Sequence, residues 1–402
     1  MRALPSRTLR EPRVKMYSAA QPIPSHVSLI ADTTRTGRVV NLTSRLMRRV
    51  FYFFIALLFI ANSALSQGLG IPTKRAGIGF GNLTKFTGVR INFKDRYVEK
   101  ITGVNVTVWQ TKNDSDQTGT VNGISLGLPM AMGHENQNGL SVGLLGVAAT
   151  QNLSGINIGV LGAGAGNSVN GFNFGGLGIG AGQDLRGVTI GGLGAGAGGD
   201  VIGFNVGGLG IGAGGNLAGF SFGGLGVGSG GNVSGINLAG VGIGAGENLT
   251  GFSFALVGIG AGGKIRGINI AGLGIGAGES VNGINVAGIG VGGPKVTGVA
   301  VAMAVGGVDV KGIMIAPAFF RVGGGDKTDD NGAKVSEDGV MRGLSVSAYN
   351  RIKGEQRGVA IGVVNYTKKI KGFQFGVINI VKENPKGLRV LPIFNTRFGK
   401  KG

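Results

Sequence analysis

The amino-acid sequence predicts an all-β protein: a β-solenoid of sixteen-residue glycine-rich coils with less regular caps at its ends. Three observations predict it. A glycine recurs at Gly123, Gly139, Gly155, Gly171, Gly187, Gly203, Gly219, Gly235, Gly251, Gly267 and Gly283, a strict spacing of sixteen. A short fixed period marks a unit that cannot bury its apolar face alone, so neighbouring units must stack. After each glycine, residues alternate apolar-polar-apolar, as in Phe172-Asn173-Phe174 and Ile268-Asn269-Ile270, which is the period of a strand. Finally, six glycines in Gly171–Arg186 exclude a helix, since each costs about 1 kcal/mol relative to alanine there.

Within one unit, Gly175-Gly176 separates Phe172-Asn173-Phe174 from Leu177, Ile179 and Ala181, which alternate with Gly178, Gly180 and Gly182. The apolar residues are even-numbered before the glycine pair and odd-numbered after it. A straight strand cannot place both sets on one face, so a bend is expected at the pair, where glycine tolerates it. Gln183-Asp184-Leu185-Arg186 reads as a turn with one aliphatic anchor. The expected inward set is Phe172, Phe174, Leu177, Ile179, Ala181 and Leu185. The rank Asn157, Asn173, Thr189, Asn205, Ser221, Asn237, Ser253, Asn269 and Asn285 is then expected to face water as a polar ladder. Gly178, Gly180 and Gly182 would form a face without side chains, which suggests close approach of another backbone. The expected cover is a second copy of the protein, by self-association through this glycine face, or another part of the chain; the alternative is that glycine only eases a tight bend of the coil.

The chain has 402 residues, 85 glycines, 42% hydrophobic residues and no cysteine, so no disulfide framework exists and the compartment cannot be read from cysteine. The net charge of +20 is unevenly placed. Residues 1–66 carry ten basic and two acidic residues, 139–293 three and four, and 294–402 eighteen and eight. The coils therefore lack the basic face that nucleic-acid binding requires, and the basic tail reads as solvated turns.

In chain order, 1–46 is rich in Arg, Ser and Pro without period, and reads as disordered or as sequence upstream of the true start. Met47 opens a secretory signal peptide over 47–66: Arg48-Arg49, an apolar run from Val50 to Ala61, and the cleavage site Ala64-Leu65-Ser66, too short for a membrane span. Met47 is the expected start and Gln67 the expected mature N-terminus. Residues 67–122 form an irregular N-terminal β cap that covers an open strand edge. Residues 123–322 form the repeat solenoid, with the period shortening at Gly298 and Gly312. Residues 323–340 read as a charged surface loop, and 341–402 as longer C-terminal units.

Those last units resemble a known family. Gly358-Val359-Ala360-Ile361-Gly362-Val363-Val364-Asn365 and Gly372-Phe373-Gln374-Phe375-Gly376-Val377-Ile378-Asn379 are similar to the Gly-Val-x-Ile-Gly-Leu-x-Asn repeat of a bacterial surface-repeat family. Asn384–Pro392 is similar to its closing segment. The resemblance implies an exported protein at the outer membrane or cell surface of a diderm bacterium, with no catalytic residue. The sixteen-residue coils depart from it, with Gly-Ala-Gly where the later Asn would stand.

Residues for chemistry are sparse. His134 is the only histidine after the prefix and reads as a turn residue. No cysteine nucleophile, His pair or phosphate loop is present. Asp114, Asp116 and Thr118 place oxygen donors at positions one, three and five, with Gly119 at six, as in a calcium loop. Ser125 stands where a bidentate Glu would be needed, so a plain polar turn is favoured. Asp326, Asp329 and Asp330 are a second acidic cluster of poorer spacing. Calcium is the one cofactor left open; no catalytic or cofactor-binding residue is expected. The function expected is that of a non-enzymatic exported scaffold for adhesion or packing. The alternative is an antiparallel outer-membrane β-barrel acting as pore or anchor, favoured by the ten residues Gly372–Val381, which is spanning length, and by Phe394 and Phe398. The coils oppose it, because their apolar face switches halfway. Enzyme and ice-binding readings are weaker still, since the coil acids sit at turns and only one polar rank exists.

Overall fold

The structure, a computed structural model, describes residues 68–72, 76–109, 117–324, 326–328, 334–336 and 338–398. All belong to the unit Leu65–Gly402. The segments 1–46 and 47–66 lie outside the described residues. The described chain holds strands and turns and no helix, in about 17 stacked coils.

One coil shows the construction. Ser168–Gly175 is a strand, Gly176-Leu177 turns, Gly178–Ala181 is a second strand, and Gly182-Gln183-Asp184 turns into the next coil. Each strand pairs in parallel with its equivalents in the coils before and after: Phe172 opposes Ile156 and Val188, and Ile179 opposes Ala163 and Ala195. The register holds from Gly88 to Gly372. Parallel coil-to-coil pairing excludes the barrel alternative. The last strand, Val390–Asn395, returns antiparallel on Val364–Val381 rather than spanning anything, and Leu69–Pro72 pairs antiparallel with Gly77–Phe80 at the other end. The repeat shortens at Gly298 and Gly312 as expected. The following coil to Gly343 carries the insertion, in which Asp326–Thr328 and Lys334–Ser336 form a separate two-stranded sheet.

The repeating glycine is a backbone requirement. Gly171 has φ +105°, and a Cβ there would lie 2.1 Å from Gly155 O. Only glycine adopts that conformation without strain. It bends the long strand, so the coil has a corner at Gly171 as well as at the two turns.

The faces of the long strand are the reverse of the sequence expectation. Asn173 is fully buried, whereas Phe172, Phe174 and Leu177 are 42%, 39% and 51% exposed. The residues that do point inward are Val169, Asn173, Gly175, Ile179, Ala181 and Leu185. Of the expected set only Ile179, Ala181 and Leu185 are inside. All the inward residues are odd-numbered, so no parity change occurs. The physical reason is room. Each coil adds about 4.8 Å of length to the stack, and its interior is narrow. A Cβ on Gly175 would meet Gly178 O at 2.3 Å and Ile179 Cγ1 at 2.9 Å. The equivalents of Gly175 in later coils, Ala239, Ala255, Ala271 and Ala287, hold no more than a methyl group, so two phenyl rings and a leucine per layer cannot fit.

The interior therefore carries a polar rank beside its aliphatic ones. Asn157 donates to Asn173 Oδ1 (2.8 Å) and Asn269 to Asn285 Oδ1 (2.9 Å). Between them Thr189, Asn205, Ser221, Asn237 and Ser253 are equally buried, and the Asn205 and Asn237 amides have no protein hydrogen-bond partner. Towards the C-terminus the rank of Ile179 passes through Phe320 to Asn350, Asn365 and Asn379. There Asn350 donates to Asn365 and Asn365 to Asn379, both at 2.7 Å.

Candidate functional site

Of the calcium-loop residues expected, only Thr118 lies among the described residues. Asp114 and Asp116 lie outside the described residues, and the Thr118 hydroxyl donates to Val98 O at 2.8 Å. Asp326 is on a short strand, and Asp329 and Asp330 lie outside the described residues. Among the described residues no group of three His, Cys, Asp or Glu could hold a metal ion.

His134 is not a surface turn residue but is wholly buried. It closes a cluster in the N-terminal cap. Arg90 takes the inward position held by Asn173 in the coils, forms an ion pair with Asp95, and donates to Asn105 Oδ1 (2.9 Å) and Leu83 O (2.5 Å). Asp95 also accepts from Asn105 (2.9 Å), Asn92 and Thr107 (2.5 Å). His134 Nε2 lies 3.2 Å from Asp95 Oδ2 without hydrogen-bond alignment. Burial, and then the Arg90 guanidinium, hold the imidazole down at about 3, so it is neutral at physiological pH. Burial also lowers Arg90 to about 10, leaving it charged. A neutral imidazole sealed beside a paired carboxylate, with no route for substrate, is structural.

The surface that the sequence reading missed is the outside of the long strands. In-register stacking aligns Phe172 with Ile78, Val89, Val104, Ile124, Leu140 and Ile156 on one side, and with Val188, Phe204, Phe220, Ile236, Phe252, Ile268 and Ile284 on the other. The rank continues through Val299, Ile313, Leu344 and Val359 to Phe373. The rank of Phe174 runs beside it from Phe80 to Phe375 and is equally free of polar residues. No member of either rank is buried. A third apolar rank, Leu161, Leu177, Leu193, Leu209, Leu225, Val241 and Val257, lines the adjoining corner, each joined to the next by a backbone hydrogen bond. At its N-terminal end Trp109 stacks on Phe93 with centroids 6.5 Å apart. At the C-terminal end Ile315, Val346, Ile361 and Phe375 form a trough under Pro392 and Ile393.

Two other surfaces flank this one. Beyond the corner, the outer face of the short strands is bare glycine from Gly164 to Gly306, where a Cβ on Gly180, Gly212 or Gly244 would meet nothing within 4 Å, and continues as Arg321, Arg351 and Tyr366. Beyond Gly171 lies the rank of Asn170, which is polar except at Ile202 and Ala218 and holds Arg186, Arg266, Lys311, Arg342, Arg357 and Lys371 without an acidic residue. Part of that charge is met from the neighbouring rank. Arg186 pairs with Asp184, and Arg342 with Asp309. Hydrogen bonds from Arg357 and then Lys371 hold Glu355 below the usual carboxylate range.

The chain matches no known protein family, no curated protein and no solved structure.

Proposed function

We propose that this chain is a non-enzymatic scaffold of the cell envelope, exported and held at the outer membrane or cell surface of a diderm bacterium. One observation carries the scaffold reading: the outward ranks of Phe172 and Phe174 stay apolar at every coil from Val89 to Phe373. At ~4.8 Å per coil this is an extended surface about 80 Å long. A partner meets the same chemistry at each rung, which suits adhesion or packing along a line rather than turnover at a point. The envelope location is supported by the signal-like segment 47–66 and by the resemblance of Gly358–Asn365 and Gly372–Asn379 to exported surface repeats. The test is to express the full chain in a diderm bacterium, fractionate the cells and sequence the N-terminus. The expected result is envelope-associated protein beginning at Gln67. Protein retained in the cytoplasm with Met1 or Met47 intact would overturn the location.

A further inference from the structure

We propose that the apolar ranks of Phe172 and Phe174 are a lipid-docking surface, on which the coils lie lengthwise against an anionic bilayer. The proposal takes its setting from the envelope reading, but its chemistry stands on the geometry alone.

The face is large. Its length of about 80 Å and a width of about 12 Å for two outward residues with their side chains give an area near ~1,000 Å². The largest apolar patch on an ordinary monomer is about 300–600 Å². Such an area needs a cover, and three features choose lipid over a second copy of the chain. First, neither rank contains a polar residue, whereas a protein interface of standard size carries roughly ten hydrogen bonds and a polar rim. Second, side-chain size varies from rung to rung, Phe172, Val188, Phe204, Phe220, Ile236. A rigid partner must complement each step, while hydrocarbon fills any profile. Third, the rank beside the face carries a base at each of its last four coils, Lys311, Arg342, Arg357 and Lys371, and has no acid of its own. Basic residues alongside an apolar strip place cations at the headgroups of anionic lipid when the strip enters the acyl boundary.

The backbone permits this. A polar main-chain group facing hydrocarbon unpaired costs several kcal/mol, but in a parallel stack the amides and carbonyls point along the stack to the next coil. Phe172 and its neighbours are paired on both sides, so the face presents side chains and no open edge. The inward rank of Asn173, Thr189 and Asn205 is polar. The strand is therefore apolar outside and polar inside, the alternation of lipid-facing strands, here without a pore.

The test reads depth rather than binding, so that segment 47–66 cannot mimic the answer. In the full chain with Trp109→Phe, a single reporter is placed by Phe220→Trp on the apolar face or by Gly212→Trp on the glycine face, where a Cβ meets nothing. Both are mixed with vesicles of phosphatidylcholine and a minority of phosphatidylglycerol carrying brominated acyl chains. Circular dichroism confirms that both are folded. The expected result is strong bromine quenching for Phe220→Trp and at least several-fold weaker quenching for Gly212→Trp. Loss of the phosphatidylglycerol should weaken the difference. Equal quenching at both positions, or none at Phe220→Trp, overturns the proposal. So does a buried, unquenched Phe220→Trp reporter in a self-associated species that Phe204→Thr with Phe222→Thr dissociates, since a second copy would then be the cover. Quenching by a chain that cells retain in the cytoplasm would sink only the envelope reading, and export without quenching only the docking proposal.

Discussion

Phe204 and Phe220 stack face to face on the outside of the solenoid, one coil apart, with ring centroids 4.7 Å apart and planes within 8° of parallel. Each ring is held by the in-register pairing of its strand. The next residue along, Asn205, points the other way and is fully buried. Adjacent residues thus carry opposite duties from those their polarity suggests.

This relationship reverses the usual ranking of substitutions. Asn205→Asp should be the damaging change, because it buries a carboxylate with no cation beside it and only the Thr189 and Ser221 hydroxyls above and below, at a cost of several kcal/mol. Phe204→Thr should be mild in aqueous solution. It loses an exposed stacking contact worth roughly 0.5–1.5 kcal/mol and keeps a β-branched residue on the strand. Hydrogen exchange of the coils from Val188 to Ile236 measures both, since stability in a repeat array is local. Greater loss of protection in Phe204→Thr than in Asn205→Asp would contradict the assigned faces.

Two glycines of one coil should respond oppositely to alanine. Gly171→Ala strains a φ of +105° and drives a Cβ to 2.1 Å from Gly155 O, so that coil and the one before it should open. Gly180→Ala meets open space, and the smaller entropy of the unfolded chain should stabilise it by about 0.4–1 kcal/mol. Thermal melts of the two single variants and of Gly180→Ala with Gly212→Ala decide it. A destabilising Gly180→Ala would show that the glycine face is already occupied.

The period, the strand pairs and the anchors Leu185 and Ile179 were legible because repetition and alternation survive without tertiary knowledge. The phase of the long strand was not. Placing every apolar residue inside forced a parity change at Gly175-Gly176, yet the constant odd parity of Val169, Asn173, Gly175, Ile179 and Leu185 was available in the same letters. The rank of Gly175 was the signal, since a position held by glycine in some coils and alanine in others, as at Ala239 and Ala255, lies where space is short. The burial of His134 had no signal at all. It depends on Arg90 and Asp95, which lie remote in sequence and meet only when the cap coils stack.

That cluster should make the N-terminal cap sensitive to acid. Burial and Arg90 keep the His134 pKa at about 3 in the folded chain, below about 6.5 in the unfolded chain. Between those values the unfolded chain binds a proton that the folded chain does not. This contribution is therefore intact above about pH 6.5 and lost progressively as pH falls towards about 3. At a pH of about 4.5 the loss should reach roughly 2–3 kcal/mol. His134→Gln lacks that ionisation, so its exchange protection at Ile101 and Val121 should fall less steeply between pH 6.5 and 4.5. Parallel slopes would remove His134 as the cause.

A further hydrogen-bonded ladder that joins successive coils stands at the second turn. Asp184 Oδ1 accepts from the Asp200 amide (3.0 Å), Asp200 from Asn216 (2.8 Å), Asn216 from Asn232 (3.1 Å), Asn232 from Asn248 (3.2 Å) and Asn248 from Lys264 (3.0 Å). Side-chain amides reinforce it, as from Asn232 to Asn216 at 2.9 Å. Each link satisfies a turn amide that no strand pairs, as a helix cap does, so removing one should cost about 1 kcal/mol. Asn232→Ala removes the acceptor of the Asn248 amide and the side-chain bonds to Asn216 and Glu247, while its own backbone amide still donates to Asn216 Oδ1, so protection of the Asn248 amide should fall by roughly five- to tenfold. Asn232→Asp keeps the acceptor for the Asn248 amide and should retain most of it. It also sets a second carboxylate by Glu247, now held by the Asn232 amide at 2.8 Å, so part of its cost should disappear at high salt. An Asn232→Asp variant as weak as Asn232→Ala at high salt would mean that the side chain only fills space, and that the backbone pairing of the coils alone holds the turn.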